Sequence, residues 1–309
     1  MESRSTHIGK KDIRHVLDIS HLKGRTRLFT HKAGGQTWTI QFNPRAQRKN
    51  RRQVLFLNSE RQYSHVRKNW FTVEWTNLSW WVAFLFTVGS MVWLVNGCFC
   101  MWPLTNAALQ SQLVSWSAFA GGLTFIIAGY AAMLEVFNQS YKVTIETASE
   151  STDEAPVYHA IPHRRLKRLR WMRLKPREWA WWMNTVQMLG ALIFFLACVS
   201  GVFSLYFNVP MIALFWIPQM IGAVCFIIAS TMAMFEVQTT WKHPNVHDIG
   251  WYAGLFNLIG AVGFLLCAWF GASTQGHTDI YWGSDFSTFW GSIGFLMSSC
   301  LMWHEAINP

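Results

Sequence analysis

The sequence predicts an all-α polytopic membrane protein, with six transmembrane helices arranged as three pseudo-equivalent helical hairpins behind a basic N-terminal cytoplasmic tail. Three observations carry this. Apolar residues make up 51% of the chain and charged residues only 14%, against roughly 25% charged in a soluble domain. The charges are segregated: of 26 Lys and Arg, 16 fall in residues 1–68, nine in 142–177, and Lys242 alone lies beyond. A pattern of Gly, Phe and Glu also recurs three times in the apolar part. A stretch as long as Trp179–Pro309 with a single basic residue does not read as a soluble surface.

In chain order, residues 1–72 form the tail. They show no apolar run of the secretory-signal kind, so the tail is expected to stay on the cytoplasmic side. "RTRLFTHKAGGQTWTIQFNP" (25–44) alternates around "KAGGQ" like a short β-hairpin, and "QVLFLNS" (53–59) reads as a further strand. With 16 basic against four acidic residues in 1–68, the tail fits a segment lying on anionic lipid head groups, at about 1 kcal/mol per basic side chain. Nucleic acid is the weaker partner, because the polybasic run leads straight into an apolar span.

Hairpin repeat 1 occupies 73–138, with spans near 79–101 and 116–136. A basic loop covers 139–178. Repeat 2 occupies 179–238, with spans near 180–203 and 214–236, and repeat 3 occupies 239–309, with spans near 250–271 and 286–303. Each span is about 20 residues, the length that crosses roughly 30 Å of hydrocarbon. Lys and Arg favour the cytoplasmic face, and the connections near 102–115, 204–213 and 272–285 carry none. Both termini are therefore expected in the cytoplasm. In the basic loop, Arg164, Arg165, Lys167, Arg168, Arg170 and Arg173 alternate with leucines and a Trp, as in an interfacial amphipathic helix contacting lipid.

The repeat is fixed by six positions. The second helices read Gly121–Phe125–Glu135, Gly222–Phe226–Glu236 and Gly291–Phe295–Glu305. The first helices read Trp80-Trp81…Gly89-x3-Trp93, Trp181-Trp182…Gly190-x3-Phe194 and Trp251-Tyr252…Gly260-x3-Phe264. The two glycines of a unit are 32, 32 and 31 residues apart, a register that signals an internal repeat with its axis along the membrane normal. A membrane glycine lets neighbouring backbones approach, so this face is expected to meet other helices. Trp116 to Glu135 is 19 residues, about 28 Å of helix. That places the glutamates at the inner interface and not at the midplane, where transporter sites usually sit.

"FLFTVGSMVW" followed by "GGLTFIIAGYAAMLEVFN" resembles the YrhK-type integral membrane domain, whose two helices have Phe-x-x-Gly-Ser-type motifs. The resemblance covers about 79–138 and implies a two-helix membrane unit. It brings no known activity.

Candidate site residues follow from position. A carboxylate at a helix C-terminus opposes the helix dipole and needs donors. Glu135, Glu236 and Glu305 are expected to find them in backbone N–H or Trp indole N–H groups at the starts of neighbouring first helices, with Asn138 and Asn308 as C-terminal caps. The alternative is a ring of three carboxylates holding a cation or proton at the cytoplasmic mouth. Asn96, Asn184, Gln187, Gln219 and Asn257 lie within spans. They either hydrogen-bond between helices or line a polar pathway.

No Lys or Arg falls inside a span and no carboxylate near a midplane, which argues against a proton relay. His159 and His163, and His243 and His247 with Asp248, lack adjacent His pairs. Pro162 and Pro244 interrupt their spacing, so they read as loop histidines and not as a metal site. Cys98, Cys100, Cys198, Cys225, Cys267 and Cys300 read as small residues of a bundle. No cofactor and no catalytic constellation is indicated. The favoured class is a non-catalytic membrane scaffold or adaptor with its basic segments on anionic lipid, able to take a protein partner or a second copy of itself. The alternative is a small-solute or ion channel or transporter with a path between the repeats, and a metal-dependent lipid-modifying enzyme comes third. A continuous polar pathway would favour transport, and a dry bundle the scaffold.

Overall fold

The computed structural model describes residues 15–18, 26–33, 36–49, 51, 54–57, 60–62, 72–139, 142–148, 157–162, 169–240, 242–273 and 278–308. Arg164, Arg165, Lys167 and Arg168 lie outside these residues. A five-residue helix, α1 (Pro44–Arg48), precedes the long ones. Among the described residues, five helices are long and apolar enough to cross a membrane: α2 (Leu78–Met101), α3 (Ala107–Phe137), α4 (Trp179–Phe203), α5 (Ile217–Val237, led in by a π-turn at Ile212–Trp216) and α6 (Ile249–Ser273).

The last helix, α7 (Thr278–Ile307), is as long but carries Asp279, Asp285 and five serines. All five serines (Ser284, Ser287, Ser292, Ser298 and Ser299) are buried, and Ser284, Ser292 and Ser298 tie α7 to its neighbours. Ser292 Oγ donates to the Trp93 carbonyl at 3.0 Å and Ser298 Oγ to the Ala253 carbonyl at 2.7 Å. Hydroxyls bonded across helices in this way are tolerated away from water.

Helix starts follow from their caps. Asn77 accepts from Ser79 N–H, and Asp248 Oδ1 accepts from Gly250 N–H at 2.7 Å, each satisfying an orphan donor of the first turn. Both lie three residues before the aromatic pair of their repeat. The third equivalent, Glu178, makes no side-chain cap bond and instead stands 3.3 Å from Lys175.

Each of α2 to α7 packs on its neighbours in sequence, and α7 closes on α2, so the six form a ring. The repeat positions meet inside it. Trp93, Phe194 and Phe264 form a triangle with ring centroids 5.5, 5.0 and 5.6 Å apart, each pair edge-to-face. Phe125, Phe226 and Phe295 complete this one core cluster.

The glycines seat these rings. A Cβ on Gly89 would come 2.7 Å from the Phe125 ring, and one on Gly121 2.8 Å from Trp93. Gly222 against Phe194 (2.7 Å) and Gly260 against Phe295 (2.6 Å) repeat the arrangement. The Gly-x3-aromatic spacing in both helices of a pair is thus one reciprocal packing device, in which each glycine makes the hollow for the other helix's ring.

Two sheets accompany the helices. β2 (Arg27–Ala33), β3 (Gln36–Phe42), β4 (Val54–Leu57) and β5 (Glu60–Gln62) form an antiparallel sheet in sequence order. β1 (His15–Asp18) pairs with β6 (Lys142–Ala148), which pairs with β7 (Val157–Pro162). The tail and the basic loop therefore share a sheet.

Residues 169–178 hold no helix, in contrast to the amphipathic helix expected over the basic loop. The physical reason is Asn138, whose side chain pins the chain in an extended form. Its Oδ1 accepts from Arg170 N–H at 2.8 Å and its Nδ2 donates to the Arg170 carbonyl at 2.9 Å. Pro176 further restricts the residue before it.

Candidate functional site

The site begins with a short capped helix. Asn43 accepts from the N–H groups of Arg45 and Ala46 at 3.0 and 3.2 Å, and Pro44 occupies the first turn, where its missing N–H costs nothing. Asn43 Nδ2 also donates to Asp248 Oδ2 at 2.8 Å, tethering α1 to the start of α6. Arg45 and Arg48, three residues apart, project from the same side of this turn.

Both enter the ring of helices. Glu135, Glu236 and Glu305 end α3, α5 and α7 and are 7%, 0% and 1% exposed. Arg45 forks onto Glu305, Nε to Oε1 at 3.0 Å and Nη2 to Oε2 at 2.9 Å. Arg48 forks onto Glu236 with Nη1 and Nη2, at 2.5 and 2.8 Å, and its Nε lies 4.0 Å from Glu135. Ser79 Oγ donates to Glu135 at 2.5 Å. Arg51 Nη1 donates to Glu305 at 3.0 Å, and Lys49 Nζ lies 3.3 Å from its Oε2. Paired charge-assisted bonds of this geometry are the strong ones. α1 thus forms a basic lid over the helix ends.

Room for the lid is built into the starts of the facing helices. Ser79, Ala180 and Gly250 are equivalent, two residues after Asn77, Glu178 and Asp248. Ser79 supplies the hydroxyl for Glu135. A Cβ at Gly250 would come 2.6 Å from Arg45 Nε, so glycine clears the path of that guanidinium. Neighbouring helix ends are capped by other groups: Lys175 Nζ donates to the Val136 carbonyl at 2.9 Å, and Thr26 Oγ1 to that of Val237 at 3.4 Å. Cations at a helix C-terminus complement its dipole.

Burial works against the charged forms of Arg45, Arg48, Lys49 and Glu305. For Arg48 it is outweighed by Glu236 and then by Glu135 and Glu305, which hold the guanidinium above its ordinary value. For Lys49 burial wins over Glu305 and pushes the ammonium down. Glu305, in the last turn of α7, is buried too, yet Arg45, Lys49 and Arg51 hold its carboxyl well below the usual range.

Beneath the lid lies a chamber of about 90 Å³, room for roughly half a dozen waters. Arg45, Arg48 and Lys49 close it on the lid side, Asn184, Gln187 and Asn257 are on its walls, and Phe125 and Phe295 of the aromatic layer face it. The chain matches no family model, no curated protein and no solved structure. Its chemistry has to be read from this geometry.

Of the five span residues expected to be polar pathway or interhelical glue, Asn184, Gln187 and Asn257 line the chamber. Asn257 Nδ2 donates to Ser230 Oγ at 2.7 Å and Asn184 Nδ2 to the Ala180 carbonyl at 2.8 Å. Asn96 instead ties α2 to α3, donating to the Val114 carbonyl and Ser117 Oγ, and Gln219 Nε2 donates to Cys267 Sγ. Asn138 and Asn308 reach back to the carbonyls of Leu134 and His304, at 2.8 and 2.9 Å. Arg170 and Arg173 are exposed, beside exposed Trp171, Met172 and Leu174.

The three glutamates do converge, but their main partners differ from those expected. The indole N–H groups of Trp80, Trp81 and Trp182 donate to the carbonyls of Thr72, Trp75 and Pro176, and guanidinium groups meet the carboxylates. Sequence reasoning missed Arg45, Arg48, Lys49 and Arg51 because it read the tail's charge as facing lipid. The local signal was "NPRAQR", a helix start with two arginines one turn apart.

Proposed function

We propose that the protein is a six-span membrane protein, three hairpins around a pseudo-threefold axis with both termini cytoplasmic, and that it acts as a passive conduit for a small solute. The observation that carries this is the chamber. It carries Asn184, Gln187 and Asn257 among mainly apolar side chains, and it lies between the lid at the glutamate ends and the aromatic layer, the arrangement of a path interrupted by a ring of aromatic side chains. A hydrophobic constriction is a common gate. The repeat register, the closed ring and the absence of Lys and Arg from the connections near 102–115, 204–213 and 272–285 support the topology.

The test is flux through proteoliposomes. Phe264→Ala and Phe194→Ala, which thin the aromatic layer, should raise the leak of small solutes above that of the parent. Vesicles as tight as protein-free ones with both variants would remove the conduit reading.

A scaffold on anionic lipid is the second reading. It is favoured by Arg170 and Arg173 exposed among Trp171, Met172 and Leu174, a pattern that suits a membrane interface. Binding of the detergent-solubilised protein to phosphatidylserine vesicles, weakened by Arg170→Gln and Arg173→Gln together, would support it.

A further inference from the structure

Three side-chain amides line the chamber, Asn184 and Gln187 from α4 and Asn257 from α6. Their hydrogen-bonding capacity is only partly used. Asn184 is buried and donates to the Ala180 carbonyl, Asn257 donates to Ser230 Oγ, and neither Oδ1 accepts a bond among the described residues. Gln187 makes no hydrogen bond among them at either end of its amide. The free atoms of all three keep accessible surface. The opposite arc of the ring is apolar. Gln187 and Asn257 each stand three residues before the repeat glycine of their helix, and the residue at that position in α2 is Phe86. Phe86 packs with Val82 and with Met302 of α7 on the far wall. Charge does not select what enters. Around the lid Arg45, Arg48, Lys49 and Arg51 face Glu135, Glu236, Glu305 and Asp248, four against four among the described residues. Glu135, the carboxylate on the chamber lining, already has Ser79 and Arg48.

We propose that the chamber is a binding site for a small uncharged primary amide, with its polar end on Asn184, Gln187 and Asn257 and its alkyl end against Phe86 and Val82. A side-chain amide both donates and accepts, so a ligand amide pairs with one of them reciprocally, N–H to oxygen in both directions. Its second N–H reaches the Oδ1 of another. A ketone or alcohol of the same size fills fewer of these places. The alkyl group covers the wall that water wets poorly. A cavity of about 150 Å³ takes benzene, so this one, at about 90 Å³, suits a molecule of about four non-hydrogen atoms. Acetamide is of that size. With so few atoms the affinity is expected to be on the order of millimolar. This names the class of solute for the conduit reading, on which its route into the chamber rests, while binding is measured without flux.

The experiment is saturation-transfer difference NMR on the ligand methyl group, with the whole chain in perdeuterated detergent and protein-free micelles as the blank. Acetamide, acetone and acetate share one shape and differ in the polar end: N–H donors, a carbonyl alone, or a charge. Acetamide should give a saturable signal. Acetone, without donors for the free oxygens, should bind about tenfold more weakly, and acetate should give no saturable signal. Gln187→Leu should weaken acetamide about tenfold and leave acetone nearly unchanged. No saturable acetamide signal, acetone or acetate as tight as acetamide, or undiminished acetamide binding in Gln187→Leu overturns the site. Should Gln187→Leu fail to fold, the three isosteres on the parent decide. Saturable acetamide binding without flux in proteoliposomes would keep this site and remove the conduit, whereas flux of solutes without acetamide binding would do the reverse.

Discussion

Arg48 and Glu236 are 188 residues apart in sequence and meet fork to carboxylate inside the ring of helices, at 2.5 and 2.8 Å, with side chains 3% and 0% exposed. A pair of this kind contributes little net stability compared with apolar residues of the same size, but losing one member strands the other.

Arg48→Met should therefore cost about 3–5 kcal/mol, and Glu236→Met a comparable amount. The double variant should recover most of that loss, because no charge is left stranded. Unfolding of the three variants in detergent, set against the parent, checks this. Single variants as stable as the parent would show that the lid is not locked by this pair.

Gly250→Ala tests the path of Arg45. In an exposed helix the substitution would stabilise by roughly 0.5–1 kcal/mol. Here the new methyl would stand 2.6 Å from Arg45 Nε, displacing a guanidinium held at both ends of its fork. A net loss of about 1–3 kcal/mol is expected, and Gly250→Ala combined with Arg45→Ala should lose less than the two singles added together. A stabilised Gly250→Ala would mean that α1 gives way freely.

Phe264 touches both Trp93 and Phe194 in the aromatic triangle and stacks on Phe295 at 5.3 Å. Its truncation to Ala should cost about 3–5 kcal/mol. Phe207→Ala, at an exposed ring outside the layer, should stay within about 0.5 kcal/mol of the parent. Equal effects in the two variants would deny the layer its structural role.

Acid should release the lid only below the ordinary carboxylate range. Arg45, Lys49 and Arg51 overcome burial and hold the Glu305 carboxyl well below its ordinary 4.5. A carboxyl depressed in the folded state contributes stability that is fully present above its unfolded value and is lost as pH falls through the folded one. The stability difference between the parent and Glu305→Gln should thus stay flat from about pH 7 to about pH 5 and shrink below about pH 4.5. Melting of both proteins across that range is the measurement. Shrinkage already complete at about pH 5.5 would contradict the pairing.

What could be read from the sequence is what helical periodicity writes locally. Gly89 and Trp93, or Gly222 and Phe226, are one turn apart, so their spacing states which face packs before any partner is known. Glu135, Glu236 and Glu305 were visible by the same register. The lid was legible only as a helix start, "NPRAQR" with two arginines one turn apart: nothing there distinguishes arginines aimed at a carboxylate 188 residues away from arginines aimed at lipid. The serines of α7 lowered its apolar character without revealing that they face inward to carbonyls such as that of Trp93. "KVTIETA" (142–148) is rich in β-branched residues, yet its partner strand His15–Asp18 lies more than a hundred residues upstream, beyond any local pattern.

Arg45 is 260 residues upstream of Glu305. At roughly 5–20 residues per second of synthesis, the lid helix exists for something like 10 to 50 s before the carboxylate it closes on has been made. During that interval every earlier helix can insert and pack, while α1 has no seat at the end of α7. The Arg48 half of the lid can seat on Glu236 as soon as α5 is made, whereas the Arg45 half waits for the last helix, so the lid closes in two stages.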